Sequence, residues 1–286
     1  MTAYRDAFLA APDGLQLYYR DYDMAGGGLT PVLCLPGLTR NARDFDGIAA
    51  HLAQTRRVIA PDMRGRGRSA YDPNWQNYSI PVETGDVLAL AASLGFEKVA
   101  IIGTSRGGLI ASVIAAMKPA LLKGVVLNDV GPELDPRGIA RITAYVGRQD
   151  ATPPDWTAAM EGLKAVNGGL FDMPDEQWMT VTRAIFRDED GKPVLDYDPR
   201  IGDATRASMA QPQAIDPWVL FQAFAPIPLL VLRGANSDLL SPETVAKMRA
   251  AKPDMRFAEI PGRGHAPLLD EPDSIAAIDA FLAELG

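Results

Sequence analysis

The hydrophobic pattern of the first half of the chain alternates between short apolar runs and longer segments with helical spacing. Apolar runs at 32–35, 99–102 and 124–127 are typical of strands that are buried on both faces. Residues 82–94 and 107–117 instead repeat apolar side chains at intervals of three and four, which predicts helices. Alternating strands and helices predict a parallel sheet with helices on both faces.

The same alternation returns near the C-terminus after a long interruption. From about residue 135 to 218 the pattern gives helical pieces and turn clusters but no clear buried strand. We therefore expect a core domain formed by residues 1–133 and 220–286, with a helical cap inserted at 134–219. The remaining predicted elements are strands at 15–19, 57–60, 228–234 and 255–260 and helices at 242–251 and 272–285.

One motif in the core carries recognisable chemistry. Residues 103–108 read Gly-Thr-Ser-Arg-Gly-Gly, directly after a predicted strand and before a predicted helix. A sharp strand-to-helix turn of this kind exposes the hydroxyl of its serine near a helix N-terminus, and small residues on either side prevent a clash. The motif therefore indicates Ser105 as a nucleophile, whereas a tight turn without function is the alternative.

A nucleophilic serine needs a base, and the chain has only two histidines. His265 follows a predicted strand in a glycine-rich loop, and the carboxyl ends of parallel strands are where such sheets place their sites. His51 lies in a segment that fits a helix outside the sheet, where a packing role is expected. We predict His265 as the general base.

The histidine in turn needs a carboxylate, and two aspartates follow predicted strands. We predict Asp238 because the chain order serine, aspartate, histidine then spans the insertion. Asp129, in the segment Leu-Asn-Asp-Val-Gly-Pro, is the competing candidate, and its alternative role is to shape the start of the insertion.

Developing negative charge on the substrate needs N–H donors. The backbone N–H of Arg106 follows the nucleophile, and that of Leu38 lies in the loop after the strand at 32–35. We predict these two groups as an oxyanion hole.

Composition restricts the partners and cofactors. The net charge is −8, which argues against nucleic acid as a partner. One cysteine and two histidines are too few for a multi-cysteine or three-histidine metal site. Acyl transfer through a serine needs no metal or other cofactor, so none is expected. Because the N-terminus has no apolar signal segment and no apolar stretch is long enough to span a membrane, we expect a soluble cytoplasmic protein acting on a small molecule. The oligomeric state is not predicted.

These residues together resemble the α/β-hydrolase family, specifically its cap-bearing serine members. The matching segments are LPGL at 35–38, DMRGRGRS at 62–69, GTSRGG at 103–108, the Asp238 loop and GRGH at 262–265. The resemblance implies a mostly parallel central sheet flanked by helices, with a helical cap inserted after the sixth strand. It also implies a structural role for 62–69 behind the oxyanion loop. Relatives often have His-Gly where this chain has Pro36-Gly37.

The expected reaction is hydrolysis of a carboxylic ester or lactone through an acyl-enzyme. The same residues would also serve C–C bond hydrolysis of a ring-cleavage product, perhydrolysis without a cofactor, or a small-molecule receptor with little turnover. Some members of the family that the chain resembles use an aspartate nucleophile in this turn, but Ser105 occupies that position here.

Substrate contacts are expected mainly from the cap. Tyr145, Trp156, Phe171, Met173 and Trp178 are candidate lining residues, with packing as the alternative for each. Trp218 is expected to pack where the cap rejoins the core. In addition, three arginines flank the predicted catalytic loops: Arg40, Arg106 and Arg263. One hypothesis is that one of them binds an acidic group of the substrate, and the alternative for each is a salt bridge within the protein.

Overall fold

The computed structural model describes residues 4–23, 28–147, 152–210 and 215–286. Strands and helices are numbered in chain order. The strands are β1 Arg5–Ala10, β2 Gln16–Tyr22, β3 Val32–Leu35, β4 Val58–Pro61, β5 Val99–Thr104, β6 Leu122–Asn128, β7 Phe186–Glu189, β8 Lys192–Leu195, β9 Leu229–Gly234 and β10 Arg256–Ile260. The helices are α1 Asp46–Leu52, α2 Ile80–Ser93, α3 Arg106–Met117, α4 Pro136–Tyr145, α5 Trp156–Asn167, α6 Asp175–Ile185, α7 Ile201–Ala210, α8 Pro217–Gln222, α9 Pro242–Ala251 and α10 Pro272–Ala283. Short 3-10 helices occupy Ala42–Phe45, Trp75–Asn77 and Pro119–Leu121.

Eight strands form one open sheet in the order β1-β2-β4-β3-β5-β6-β9-β10. The pairs from β4 to β10 are all parallel, whereas β2 pairs antiparallel with both β1 and β4. The predicted mostly parallel sheet is therefore confirmed. Strand β1 was not predicted, since its side chains alternate between exposed and half-buried positions and carry little apolar signal.

The sheet is covered by helices on both faces, and strand β3 shows how the sequence builds this. Val32 and Cys34 face the apolar cluster that contains residues of α1 and α10. Leu33 and Leu35 face the opposite cluster, which contains residues of α2 and α3. All four side chains are fully buried, and burial of each apolar side chain this size contributes about 1.5–3 kcal/mol. The period of two along a strand thus becomes two core layers.

Between β6 and β9 lie α4 to α8 and a two-stranded antiparallel hairpin, β7–β8. Helices α4 to α8 lie where the pattern predicts helical pieces, but the hairpin was missed, and the bounds of the cap stay a prediction. The sequence feature that marks this hairpin is the pair Asp190-Gly191 at its turn. Both residues adopt positive φ (52° and 82°), as the tight turn of a two-residue hairpin requires. Residues 148–151 and 211–214 of the predicted cap lie outside the described residues. Among the described helices, none is long and apolar enough to cross a bilayer.

Helix α3 lies unusually close to the end of β3. A Cβ atom added to Gly107 would lie 2.1 Å from the carbonyl oxygen of Leu35. Because glycine has no side chain, the first turn of α3 can approach β3 this closely.

We expect Gly107→Ala to lower the free energy of unfolding by about 3 kcal/mol, because the backbone of β3 cannot move away from the added methyl group. Gly162→Ala on α5 is the control, since nothing lies within 4 Å of an added Cβ there. That change should instead raise stability by about 0.5–1 kcal/mol. Urea denaturation measures both variants, and equal stability of Gly107→Ala and the parent would contradict the close approach.

Candidate active site

Ser105 occupies the turn between β5 and α3, and its backbone is strained. Its φ is 52° and its ψ is −113°, a conformation that L-residues with a side chain rarely adopt. The amide N–H of Ser105 donates to the carbonyl of Asn128 at 3.0 Å, which ties the turn to the end of β6. A Cβ atom on Gly103 would lie 2.6 Å from the Gly107 carbonyl carbon. Glycine at this position therefore allows the sharp turn from β5 into α3.

His265 reaches Ser105 from the loop that follows β10. Its Nε2 atom lies 2.9 Å from Ser105 Oγ, and its side chain is only 9% exposed. His51, in contrast, lies on α1 and pairs with Asp279 at the surface. The structure therefore brings the predicted nucleophile and base together and keeps the other histidine away.

The carboxylate that contacts His265 belongs to Asp129, directly after β6. Its Oδ2 atom lies 2.7 Å from His265 Nδ1, and the side chain is fully buried. Because a carboxylate only accepts hydrogen bonds, Nδ1 carries the proton and Nε2 is left to accept from the Ser105 hydroxyl. The same carboxylate accepts the Gly234 N–H at 2.9 Å and the Ser237 hydroxyl at 2.5 Å.

Asp238, the predicted partner of His265, binds elsewhere, and the prediction is corrected here. Its carboxylate forms two hydrogen bonds with Arg141 of α4, at 2.6 and 2.8 Å. The Asp238 carbonyl also accepts the Gly138 N–H at 2.9 Å. Burial opposes ionisation of Asp238, but the hydrogen bonds and charge of Arg141 outweigh it and lower the pKa of the carboxyl. Asp238 therefore attaches α4 to the loop after β9.

Strand order explains which aspartate contacts the histidine. Asp129 follows β6, which is the neighbour of the strand that leads to Ser105. Asp238 follows β9, one strand further from Ser105, and lies four residues beyond the end of that strand. Asp129 also has a positive φ of 57°, which turns the chain at the end of the strand. In the sequence both aspartates follow apolar runs, so the local pattern does not separate Asp129 from Asp238.

The two predicted oxyanion donors belong to residues near the nucleophile. Arg106 begins α3, and Leu38 follows Gly37, where an added Cβ would lie 3.9 Å from Ser105 Cβ. Within the described ranges, neither N–H donates to another backbone carbonyl. Both groups are thus available at the position where an oxyanion hole is expected, and that role stays a prediction.

The three arginines that flank these loops each have a carboxylate partner in the protein. Arg40 pairs with Asp44, Arg106 with Glu83 and Arg263 with Glu271. These contacts favour the salt-bridge interpretation over recognition of an acidic group of the substrate. The predicted substrate role of Arg40 is accordingly not retained.

The candidate lining residues separate into two groups. Tyr145 packs in the apolar cluster that also includes Leu38, so it lies beside the predicted oxyanion loop. Trp156 instead stacks against the Arg183 guanidinium, 4.5 Å from the ring centre. Trp178 is buried against Phe171, with ring centres 5.9 Å apart. Both tryptophans therefore have packing contacts within the 134–219 segment.

Trp218 also packs as expected. Its ring lies edge-on to Phe221 of the same helix, 5.7 Å between centres, and its indole N–H donates to Glu133 at 2.9 Å. The side chain thus fastens α8 to the chain just after β6.

A short stretch of the 134–219 segment that contains Phe171, one of the predicted lining residues, lies directly on the histidine loop. The Asp172 N–H donates to the Gly262 carbonyl at 2.8 Å, and Arg263 Nη1 donates to the Asp172 carbonyl at 2.7 Å. A Cβ atom on Gly264 would lie 3.2 Å from the ring of Phe171. Phe171 therefore lies beside the residue that precedes His265, so it is a better candidate than either tryptophan for a wall of the site.

Comparison with known proteins assigns the family. A model of the alpha/beta hydrolase family matches residues 32–278. The 3-hydroxybutyrate-oligomer hydrolase of Cupriavidus necator is 37% identical over 259 residues, which is 87% of each chain. The crystal structure of an alpha/beta hydrolase from Novosphingobium aromaticivorans has a TM-score of 0.92 and 43% identity, and the match covers 99% of both chains.

A more distant structure shows the same fold. The match to E-2-(acetamidomethylene)succinate hydrolase has a TM-score of 0.82 at 21% identity, and it covers 98% of this chain and all of the other. The chain is therefore a hydrolase that belongs to the alpha/beta hydrolase family.

Proposed function

We propose that the protein hydrolyses carboxylic esters of small molecules through Ser105, His265 and Asp129. The observation that carries the proposal is one continuous chain of hydrogen bonds. Ser105 Oγ lies 2.9 Å from His265 Nε2, and His265 Nδ1 lies 2.7 Å from Asp129 Oδ2. A nucleophile, a base and an orienting carboxylate in this order are the arrangement of serine acyl transfer.

The reaction follows from the proton positions. Ser105 Oγ attacks the ester carbonyl while its proton passes to His265 Nε2, and Asp129 stabilises the resulting imidazolium. The carbonyl oxygen becomes negative and accepts hydrogen bonds from the N–H groups of Leu38 and Arg106. When the C–O bond breaks, His265 returns the proton to the leaving alcohol. A water molecule then attacks the acyl-enzyme with His265 again as base, which releases the acid and restores Ser105.

We further propose short oligoesters of hydroxy acids as the substrate class. The support is the similarity to the 3-hydroxybutyrate-oligomer hydrolase, which covers nearly nine-tenths of each chain at 37% identity. Each cleavage of such an oligomer breaks one ester bond and produces a new carboxylate and a new hydroxyl group, which is the chemistry derived above.

Ser105→Ala should reduce kcat for p-nitrophenyl butyrate by a factor of about 10⁶, because it removes the hydroxyl that forms the acyl-enzyme. Ser112→Ala is the matched control on the same helix, since that hydroxyl only donates back to the Gly108 carbonyl. It should leave kcat within about twofold. Steady-state assays of both variants measure the difference, and turnover retained by Ser105→Ala would reject Ser105 as the nucleophile.

Asp129→Asn should lower kcat by about 10⁴-fold, because the amide no longer holds the Nδ1 proton and the tautomer of His265 is lost. Asp238→Asn should lower kcat less than about tenfold, because that carboxylate pairs with Arg141 rather than with the histidine. The two variants are compared under identical conditions. A loss in Asp238→Asn as large as that in Asp129→Asn would restore Asp238 as the acid.

A substrate panel tests the reaction type. We expect dimers and trimers of 3-hydroxybutyrate to be cleaved with a kcat/KM more than about tenfold above that for a vinylogous 1,5-diketone. Release of free 3-hydroxybutyrate is followed by chromatography. Preference for the diketone would indicate C–C bond hydrolysis, and a burst of p-nitrophenol without steady-state turnover would indicate a receptor.

A further inference from the structure

We propose that Glu83 is a positioning residue that holds both predicted oxyanion donors through two arginines. The inference rests on the proposed function, because it concerns how Leu38 and Arg106 are placed around Ser105. One carboxylate lies between an arginine that fixes the Leu38 loop and the arginine that directly follows the nucleophile.

The geometry at Glu83 divides its two oxygens between the two arginines. Glu83 lies on α2 and its side chain is fully buried. Its Oε1 atom accepts from Arg66 Nη1 at 2.7 Å, and its Oε2 atom accepts from Arg106 Nε at 2.5 Å. Charge-assisted hydrogen bonds of this length are short and directional, so displacement of the carboxylate moves both partners.

The Arg66 arm leads to the first donor. Arg66 is fully buried, and its Nε donates to the Leu38 carbonyl at 2.9 Å, while Nη1 also donates to the Arg64 carbonyl at 2.6 Å. The carbonyl and the N–H of Leu38 share one Cα atom. Fixing the carbonyl therefore restricts the direction in which the N–H points.

The Arg106 arm leads to the second donor. Besides its contact with Glu83, Arg106 donates from Nη2 to the Tyr78 carbonyl at 3.1 Å. The side chain is thus anchored at two points on the segment before and within α2. Because Arg106 is the first residue of α3, this anchor also restricts the N–H that begins the helix beside Ser105.

The charges favour the same arrangement. Burial opposes ionisation of Glu83, but the charges of Arg106 and Arg66 outweigh it and hold the pKa of this carboxyl below its usual range. Two guanidinium groups and one carboxylate leave one net positive charge near the oxyanion hole. Removing the Glu83 carboxylate would increase this positive charge, which by itself would stabilise the oxyanion and speed acylation. If Glu83 instead acts by positioning the two N–H donors, its removal should slow acylation.

Helix α2 offers a matched control for structural damage. Asp86 is buried to the same degree and forms two hydrogen bonds with the buried Arg64, both at 2.7 Å. Arg64 continues to Asp13 and Asp72 and donates to neither predicted oxyanion residue. Asp86→Asn therefore removes a buried ion pair on the same helix, and Arg64 touches the Glu83–Arg66–Arg106 cluster through its main-chain carbonyl rather than its guanidinium.

The experiment compares Glu83→Gln with Asp86→Asn in the full chain. We expect both to lower the melting temperature, but only Glu83→Gln should lower kcat for p-nitrophenyl butyrate, by about 10²-fold at nearly unchanged KM. Affinity for a trifluoromethyl ketone, whose adduct with Ser105 places an oxyanion in the hole, should fall in parallel with kcat/KM. Glu83→Asp retains the charge with a shorter reach and should recover part of the loss.

Several outcomes would overturn the inference. These are a kcat for Glu83→Gln equal to that of Asp86→Asn, a rise in kcat, or unchanged affinity for the ketone. If Glu83→Gln does not fold, Arg106→Met tests the second arm alone, since that side chain is partly exposed. Lowered kcat at constant KM then supports the inference, and unchanged kcat rejects it. Failure of the proposed function is distinguished by a separate variant. If Ser105→Ala, with no other change, still turns over the ester, the proposed function is wrong regardless of Glu83.

Discussion

The buried carboxylate of Asp129 is the group on which the geometry of the site depends. It lies at the end of β6 and accepts hydrogen bonds from the backbone of β9, from the Ser237 hydroxyl and from His265. A buried carboxylate with fewer partners would be costly, so the donors must be present together for the ion to remain there. Because these donors come from the ends of β9 and β10, satisfying the Asp129 carboxylate at the end of β6 aligns β6, β9 and the loop after β10. The position of the His265 ring beside Ser105 then follows from the sheet itself.

Much of this could be predicted from the sequence, and the failures have a physical cause. The alternation of apolar runs and helical spacing identified the sheet, and the G-x-S-x-G turn and the glycine loop before His265 identified the two residues now found 2.9 Å apart. The choice between Asp129 and Asp238 could not be made from local sequence, because both follow apolar strands. It depends on strand order, in which β6 is inserted between β5 and β9, and on a partner, Arg141, from a distant helix. Hairpin β7–β8 was missed for a simpler reason, since its strands are only four residues long and partly buried, too short for an alternating pattern to stand out.

Charged side chains attach the 134–219 segment to the core at several points. Asp238 pairs with Arg141 of α4, and Arg263 donates to the Asp172 carbonyl. Arg43, near the oxyanion loop, pairs with the buried Asp196 after the hairpin. The core partners Asp238, Arg263 and Arg43 follow the carboxyl ends of β9, β10 and β3, where catalytic residues are also expected. Candidate residues chosen by position alone therefore include both kinds, and the bonding partner of each decides which role it has.

The segment 62–69 shows how a structural motif and the reaction are connected. Two of its arginines, Arg64 and Arg66, are buried, and each binds a carboxylate of α2, Asp86 and Glu83 respectively. These acids are three residues apart and so lie on one face of the helix. Both arginines are therefore paired with carboxylates inside the core, and Arg66 shares its partner Glu83 with Arg106. The two arginines differ in their other contacts. Arg64 also donates to the exposed Asp13, whereas Arg66 also donates to the Leu38 carbonyl. A motif that shapes a turn thus also holds the Leu38 carbonyl, and through it, in the proposal above, the Leu38 N–H.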